Sequence, residues 1–201
     1  VSADESFKPV IDEQVQVYES NHPGTKINVE YKPEADCLKD LLTDSVRMVI
    51  VTRRASVDEK EVVADSLKVQ ARSMVVARDG VAVVLPPGSP DTLLTMNDIR
   101  AILTGKFKKN LIPVFDGVKA TSTVRFIIDS VLRGDSLTPM AMAARSSEGV
   151  IDYVSKNPGV VGFIGVSWIG NREDSTYTSF LLYFRVAIPQ AKDIPDSYVK
   201  A

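Results

Sequence analysis

Apolar and polar positions near the start of the chain alternate with the spacing of a helix. The apolar residues between Val10 and Tyr18 fall on one face of a helix that begins near Phe7. Pro9 is compatible with the first turn of such a helix, where its missing N–H is not needed. Residues 21–24, Asn-His-Pro-Gly, end the helix.

The pattern then changes to short strands around a second helix. This β-α-β-α-β order predicts a parallel sheet with right-handed crossovers, in which ligands gather at loops after the carboxyl ends of strands. The loops concerned are Asp4–Phe7 and Thr52–Ala55. The predicted strands span Val1–Ala3, Ile27–Tyr31 and Met48–Val51, and the second helix spans Asp36–Leu42.

Extended, Val-rich sequence follows over Leu67–Ala77 and Gly80–Leu85. We interpret the break at Arg78-Asp79-Gly80 as a crossing into a second lobe. There, Thr95 and Asp98 form a capping-box pattern at the start of a helix that Gly105 ends. The later predicted elements are strands at Ile112–Phe115, Val160–Ile164 and Phe180–Val186, with helices at Phe126–Leu132 and Ser147–Val154.

Composition and charge narrow the function. The 201 residues are 44% hydrophobic and 25% charged, as in an ordinary globular protein. With 24 basic and 26 acidic residues, the net charge of −2 provides no general field for nucleic acid, and the basic turn Lys106–Lys109 is typical of solvated surface. The longest apolar runs are far shorter than the ~20 residues of a membrane helix.

The residues that would support catalysis or metal binding are scarce. One histidine, His22, and one cysteine, Cys37, provide no metal-ligand set and no internal disulfide. Cys37 is predicted to be a small core residue. His22 has no Gly-x-Ser-x-Gly partner of a serine hydrolase. We therefore expect a binding protein without enzymatic activity, metal or cofactor.

The most informative run is Ala120-Thr121-Ser122-Thr123-Val124-Arg125-Phe126, which places hydroxyls between a strand and a helix. Unpaired N–H groups at a helix start, together with hydroxyl donors, suit an oxyanion. The alternative is an ordinary Ser or Thr N-cap. Ser6 and Thr52 repeat the pattern and leave the same two interpretations open.

With these residues in place, the chain resembles the phosphate-binding proteins of ABC transporters, within the periplasmic binding protein superfamily of two-lobed clamps. The match covers most of the chain. The residues that carry it lie at 4–7, 21–24, 79–83, 94–106, 121–126 and 157–163, with Leu103-Thr104-Gly105-Lys106 the most specific.

The resemblance implies an α/β fold with two lobes, each a mostly parallel sheet flanked by helices, and a cleft between them. Lobe one would hold residues 1–78 and 171–201, lobe two residues 79–170, with hinges near Asp79 and 165–170. It further implies a monomeric protein that captures phosphate or another small oxyanion for an ABC transporter permease. The location would be periplasmic or on the cell surface, with a signal segment and a possible lipid anchor in the full-length protein.

Carried over residue by residue, the resemblance assigns ligand-binding roles to Ser6, Phe7, Thr52, Arg53, Lys119, Thr121, Ser122, Thr123 and Arg125. Arg53 and Lys119 stand near positions where the family has carboxylates, one of which accepts a proton from phosphate. Arg and Lys only donate, which favours a fully charged anion. Asp36, in the poorly matching loop Glu34-Ala35-Asp36-Cys37, is either a displaced carboxylate acceptor or an N-cap.

Two other functions remain open. A sensor or surface protein of the same fold would have a degenerate anion site and would lose phosphate binding while its lobes stayed intact. A phosphohydrolase using the same site would need a metal set or an activated nucleophile, which the sequence does not offer.

Overall fold

The computed structural model describes residues 1–90, 93–117 and 121–170, with the backbone alone of 185–186 and 188–189. The contacts within the chain define two units. The first comprises Val1–Asp79 and Ala120–Ser122, and the second comprises Gly80–Lys119 and Thr123–Ala201. No helix in the described part of the chain is long and apolar enough to cross a membrane.

The first unit contains a sheet of three parallel strands. β1 (Ser2–Asp4) is central, between β2 (Glu30–Lys32) and β3 (Val49–Ile50). This confirms the parallel β-α-β-α-β arrangement. β2 is shorter than the predicted strand Ile27–Tyr31, because the three residues of β1 offer partners only to residues 30–32.

Helices and one 3₁₀ turn connect and cover these strands. Their buried side chains include Ile11, Cys37, Leu38 and Val63, so the prediction that Cys37 is a core residue is confirmed. Pro9 lies in the first turn of the first helix, as expected. The elements are a 3₁₀ turn at Glu5–Phe7, α1 (Lys8–Asn21), α2 (Glu34–Leu42) and α3 (Val57–Leu67).

The prediction of an extended element over Leu67–Ala77 is wrong. α3 continues to Leu67, and the residues from 68 to 80 form neither strand nor helix. Met74, Val75 and Val76 are exposed. A Val-rich run has a local preference for strand geometry, but a strand also needs a partner and a surface to pack on.

The strands of the second unit are β4 (Val81–Leu85), β5 (Leu93–Leu94), β6 (Ile112–Phe115), β7 (Met142–Ala143), β8 (Val160–Gly165), β9 (Arg185–Val186) and β10 (Ile188–Pro189). Five of them form a mixed sheet with the order β7-β6-β8-β4-β9. In this sheet β6 pairs in parallel with β7 and β8, whereas β4 is antiparallel to β8 and β9. A separate two-stranded sheet joins β5 to β10.

Its helices agree closely with the predicted ones. Thr95 and Asp98 form both halves of a capping box, and Gly105 ends the helix with a φ of 73°. The helices are α4 (Met96–Thr104), α5 (Ser122–Phe126) followed directly by a π-helical turn (Ile127–Leu132), α6 (Ser147–Lys156) and α7 (Ser167–Gly170).

Both faces of the large sheet are buried. Along β8, Val161 and Phe163 join one apolar cluster, while Val160 and Ile164 join another. This follows from the two-residue side-chain period of a strand. Phe163 stacks on Phe115, with ring centroids 5.1 Å apart, and Trp168 is buried in the second cluster. Phe163 and Trp168 are therefore core residues of the second unit.

The predicted strand Phe180–Val186 is described only at its end. Arg185–Val186 pairs with β4, so this part joins the second unit rather than returning to the first. It does so because β4 has one edge paired with β8 and offers the other edge. Apart from 188–189, the remainder of 171–201 lies outside the described residues.

Gly162 of β8 is a position in the described fold where a side chain would fit only if its neighbours moved. A Cβ there would lie 2.5 Å from Val84 Cγ2, 2.7 Å from Val150 Cγ1 and 2.9 Å from Val154 Cγ2. We expect Gly162→Ala to reduce the free energy of unfolding by ~1–3 kcal/mol through overpacking, measured by urea denaturation. Gly80→Ala is the control, because its Cβ would meet only Val166 at 3.5 Å. Equal stability of the two variants would contradict this packing.

Candidate functional site

A buried carboxylate, Asp4, ends the central strand of the first unit. Asp4 is 2% exposed and caps the 3₁₀ turn that follows β1. Its Oδ1 accepts hydrogen bonds from the Ser6 backbone N–H at 2.9 Å and from the Ser6 hydroxyl at 2.6 Å. Its Oδ2 is buried without a hydrogen-bond partner. Asp4, rather than Ser6, is therefore the cap.

The Ser6 hydroxyl also lies 3.3 Å from the Ser122 hydroxyl, and both serines are buried. A hydroxyl has one proton to donate, and that of Ser6 is directed at Asp4. The proton of the Ser122 hydroxyl is therefore shared between Ser6 and the Asp4 carboxyl. We refer to Asp4, Ser6 and Ser122 as the Asp4 cluster. Its hydroxyls stabilise the Asp4 carboxylate by hydrogen bonding.

Burial raises the pKa of Asp4 above its ordinary value. Hydrogen bonds from Ser6 and Ser122 lower the pKa but do not cancel the effect of burial, and the Glu34 carboxylate raises it further. The groups that act on Asp4 are thus hydroxyls, a backbone N–H and another acid. The carboxyl is poised to bind a proton at a higher pH than an exposed aspartate.

A second buried carboxylate repeats the geometry beside the neighbouring strand. Glu34, the first residue of α2, is 3% exposed. Its Oε1 accepts from the Thr52 backbone N–H at 2.9 Å and from the Thr52 hydroxyl at 2.5 Å. In each case one hydroxyl residue gives both its N–H and its O–H to a single carboxylate oxygen.

Sequence reasoning selected these hydroxyl residues but missed their acidic partners. Ser6 and Thr52 follow the carboxyl ends of adjacent parallel strands, as expected. The position of Asp4 at a strand end, in the motif Asp4-Glu5-Ser6-Phe7, was the available signal. Nothing local in the sequence pairs Glu34 with Thr52, which lies 18 residues away.

Arg53 is held by another group. Its guanidinium forms a two-pronged ion pair with Glu59, with nitrogen–oxygen distances of 2.7 and 2.6 Å. Arg53 lowers the pKa of Glu59 to about 2. Glu59 also closes the capping box of α3 with Ser56. The pair therefore fixes the loop after β3 to the start of α3.

Asp36 does not cap α2, and its role as a displaced carboxylate acceptor stays a prediction. It lies exposed in the first turn of α2, two residues after the helix begins. The N-cap is Pro33, so the capping interpretation is wrong. An exposed carboxylate also lacks the desolvation that distinguishes Asp4 and Glu34.

The second unit has its own buried acid–hydroxyl pair. The Thr123 hydroxyl donates to Asp116 Oδ2 at 3.4 Å, and both residues are buried. Arg125, further along α5, lies 3.5 Å from Asp129 in an ion pair. Asp116 follows β6, another strand end that carries a carboxylate.

The remaining predicted ligand residues are placed as follows. Phe7 ends the 3₁₀ turn and precedes α1. Thr121 is buried immediately before α5, which begins at Ser122, so the hydroxyl run lies at the start of a helix, as predicted. Lys119 lies outside the described residues.

The fold and sequence agree on a family. The sequence profile of the PBP superfamily domain matches residues 1–200, and the chain belongs to this family of periplasmic binding proteins, which are binding proteins rather than enzymes. The α/β fold class that the resemblance implied is therefore confirmed. A search of curated proteins finds no match.

The solved structures of similar fold include phosphate-binding proteins and regulatory domains. The structure of a putative phosphate ABC transporter substrate-binding protein from Clostridium perfringens, with bound phosphate, matches with 17% sequence identity and a TM-score of 0.72. The match covers 98% of this chain and 87% of that chain. An ABC-type phosphate transport receptor from Vibrio cholerae has 18% identity, TM-score 0.59 and coverages of 94% and 75%. A variant of the OxyR2 regulatory domain from Vibrio vulnificus has 13% identity, TM-score 0.65 and coverages of 96% and 81%. At these identities the likeness establishes the fold.

The Arg53–Glu59 pair should stabilise the first unit in a pH-dependent way. We expect Glu59→Gln to cost ~0.5–1 kcal/mol at pH 7, since the pair is partly exposed. Because the pKa of Glu59 is lowered to about 2, its contribution is present above the ordinary value of a glutamate and is lost as the pH falls towards 2. Urea denaturation between pH 7 and pH 3 measures this. Glu61→Gln, an exposed acid on the same helix, is the control; the same loss in both variants would contradict the assignment.

The Asp4 carboxyl should make the free energy of unfolding depend on pH in the opposite direction to Glu59. Because burial raises its pKa, the stability linked to its proton is complete below the ordinary value of an aspartate and is lost as the pH rises through the raised value. Asp4→Asn keeps the oxygen that accepts from Ser6 and removes the buried charge. We expect it to be more stable than the wild type at pH 8 by ~1 kcal/mol, or about 2–4 °C in Tm, with the difference shrinking at lower pH. A less stable variant at pH 8 would show that the charged carboxylate is favourable.

Proposed function

We propose that this protein is an extracytoplasmic solute-binding protein that captures phosphate or a similar small oxyanion for an ABC transporter. The observation that carries the proposal is the buried hydroxyl cluster of the first unit, where Ser6 and Ser122 meet at the end of β1. Buried hydroxyls at the carboxyl end of a parallel strand are suitable donors to a small anion. The family and the phosphate-binding proteins of similar structure support it.

The proposed ligand residues are Ser6, Thr121 and Ser122, with the backbone at Phe7. Thr52, Thr123, Arg125 and Lys119 remain candidates from the family resemblance. Arg53 is the weakest of them, because an anion would have to compete with the Glu59 carboxylate for its guanidinium. Binding of the ligand by closure of two lobes stays a prediction, as do a monomeric state, a permease partner and a lipid anchor.

A sensor or surface protein with a degenerate anion site is the second candidate. One observation favours it: Ser6 and Thr52 donate their N–H and O–H groups to carboxylates of the protein itself. Regulatory domains are also among the proteins of similar fold. This candidate predicts an intact fold without measurable phosphate binding.

We propose that the protein is not an enzyme. Its one histidine, His22, lies exposed at the end of α1. The His22 ring stacks on Tyr18, and its Nδ1 lies 2.9 Å from the Tyr18 carbonyl oxygen. These contacts are those of a helix-terminal residue rather than of a base held against a nucleophile.

Isothermal titration with phosphate tests the proposal. We expect Ser6→Ala and Ser122→Ala each to weaken binding about 10- to 100-fold, because each removes a hydrogen bond to a charged ligand worth ~1.5–3 kcal/mol. Arg53→Ala should change the affinity less than about threefold, since its charge is engaged by Glu59.

Ser155→Ala is the matched control, because the Ser155 hydroxyl is exposed and bonds only the Asp152 carbonyl oxygen. A folded wild type that fails to bind millimolar phosphate would reject the uptake function and favour the degenerate-site candidate. A large loss in Arg53→Ala with none in Ser6→Ala would relocate the site to the loop after β3.

A further inference from the structure

The donors that a small oxyanion would use in the first unit already serve carboxylates. Ser6 gives its N–H and O–H to Asp4, and Thr52 gives both groups to Glu34. An incoming anion must therefore share these donors with buried negative charges. Like charges repel far more strongly in a buried site than in water. Repulsion from the ionised carboxylates therefore opposes binding of the anion unless their charge is reduced.

The neighbouring strand β2 carries a lysine, but its positive charge is already paired with other acids and does not compensate Asp4. Lys32 of β2 stands opposite Asp4 in the register of the sheet. Its Nζ lies 2.7 Å from Asp40 and 2.8 Å from Glu30, two carboxylates that hold its charge. Hydrogen bonds to these acids raise the pKa of Lys32, so it stays charged and paired.

The groups that α2 directs towards Asp4 are acidic or neutral. Glu34 adds negative charge, and Cys37 is a buried thiol within the influence of Asp4. Burial raises the pKa of Cys37 to about 12, so the thiol stays neutral at physiological pH. On its own loop and at Ser122, Asp4 meets hydroxyls and the Ser6 backbone N–H, which carry no net charge. None of these described groups on β2, α2 and the Asp4 loop adds an unpaired positive charge, so we consider a proton as the means of reducing the charge.

Asp4 has one oxygen suited to that proton. Oδ1 is occupied by Ser6, whereas Oδ2 is buried and without a partner. A neutral carboxyl with its proton on Oδ2 would still accept the Ser6 backbone N–H on Oδ1, would hold the Ser6 hydroxyl proton less strongly, and would gain a donor of its own. The Ser6 hydroxyl could then turn to the anion. The same step removes the negative charge that opposes binding.

We propose that an oxyanion binds the Asp4 cluster together with one proton from solvent, which Asp4 takes up on Oδ2 and donates to the anion. This rests on the proposed function and deepens it, because it makes capture dependent on pH. The proton comes from water or buffer, and no covalent bond to the anion forms. Asp4 is then the specificity-determining residue of the site.

The proposal differs measurably from a carboxylate that accepts the ligand's own proton. Above pH 7 most phosphate is dibasic and carries one proton, so an acceptor would need no proton from solvent and would exclude sulfate. Proton uptake by Asp4 instead requires one proton per anion for both ligands. Affinity then falls about tenfold for each pH unit above the pKa of Asp4.

Titration calorimetry with phosphate and with sulfate at pH 8, in two buffers of different ionisation enthalpy, counts the protons. We expect the wild type to take up one proton with either anion, and its sulfate affinity to fall from pH 6 to pH 8, by up to about 100-fold. Asp4→Asn should take up none and should bind sulfate with the same affinity, within about threefold, over that range. Asp152→Asn, an exposed acid paired with Lys156, is the control and should behave like the wild type.

Circular dichroism and thermal unfolding establish that each variant is folded. Binding of sulfate at pH 8 by Asp4→Asn but not by the wild type would also support the proposal. Phosphate binding without proton uptake, with sulfate rejected, would overturn it and leave the proposed function standing. Failure of all variants to bind either anion between pH 5 and pH 8 would overturn both.

Discussion

The burial of the Asp4 carboxyl at the end of β1 is the constraint on which the local structure depends. A carboxylate taken out of water needs hydrogen bonds, and Asp4 obtains two from Ser6. These bonds shape the turn that leads into α1 and orient the Ser6 hydroxyl towards Ser122. One oxygen of Asp4 is left without a partner, which costs stability. Proteins retain such unfavourable groups mainly where function requires them.

The end of the neighbouring strand β3 has the same combination of an acid and a hydroxyl residue, because Thr52 donates its N–H and O–H to the buried Glu34 carboxylate. As a result, the sheet edge that gathers hydroxyls also gathers acids. A fold shared with phosphate-binding proteins and with regulatory domains does not fix the chemistry at such an edge. If the protein binds an oxyanion as proposed, the charge, burial and hydrogen-bond direction of these few side chains decide which anion is accepted, and in which protonation state.

Local signals were sufficient for most of the secondary structure. The capping box at Thr95, the left-handed Gly105 and the turn at residues 21–24 each act within a few residues, and the structure agrees with them. The Val-rich run Leu67–Ala77 failed because a strand exists only with a partner, which local preference cannot supply. β2 is shortened for a related reason, since its length is set by the register with β1.

By itself, the sequence determined the order of helices and strands, the α/β class and the hydroxyl residues at strand ends, because each depends on short-range periodicity and turn chemistry. The tertiary structure alone decided which groups those hydroxyls serve. Ser6 meets Ser122, 116 positions away, and Thr52 meets a glutamate on another element. Such pairings depend on where the packed elements bring side chains together. Packing likewise decides that Asp4 is buried, which raises its pKa, and that Asp36 is exposed to solvent. This difference in burial between the two aspartates cannot be predicted from the residues next to them.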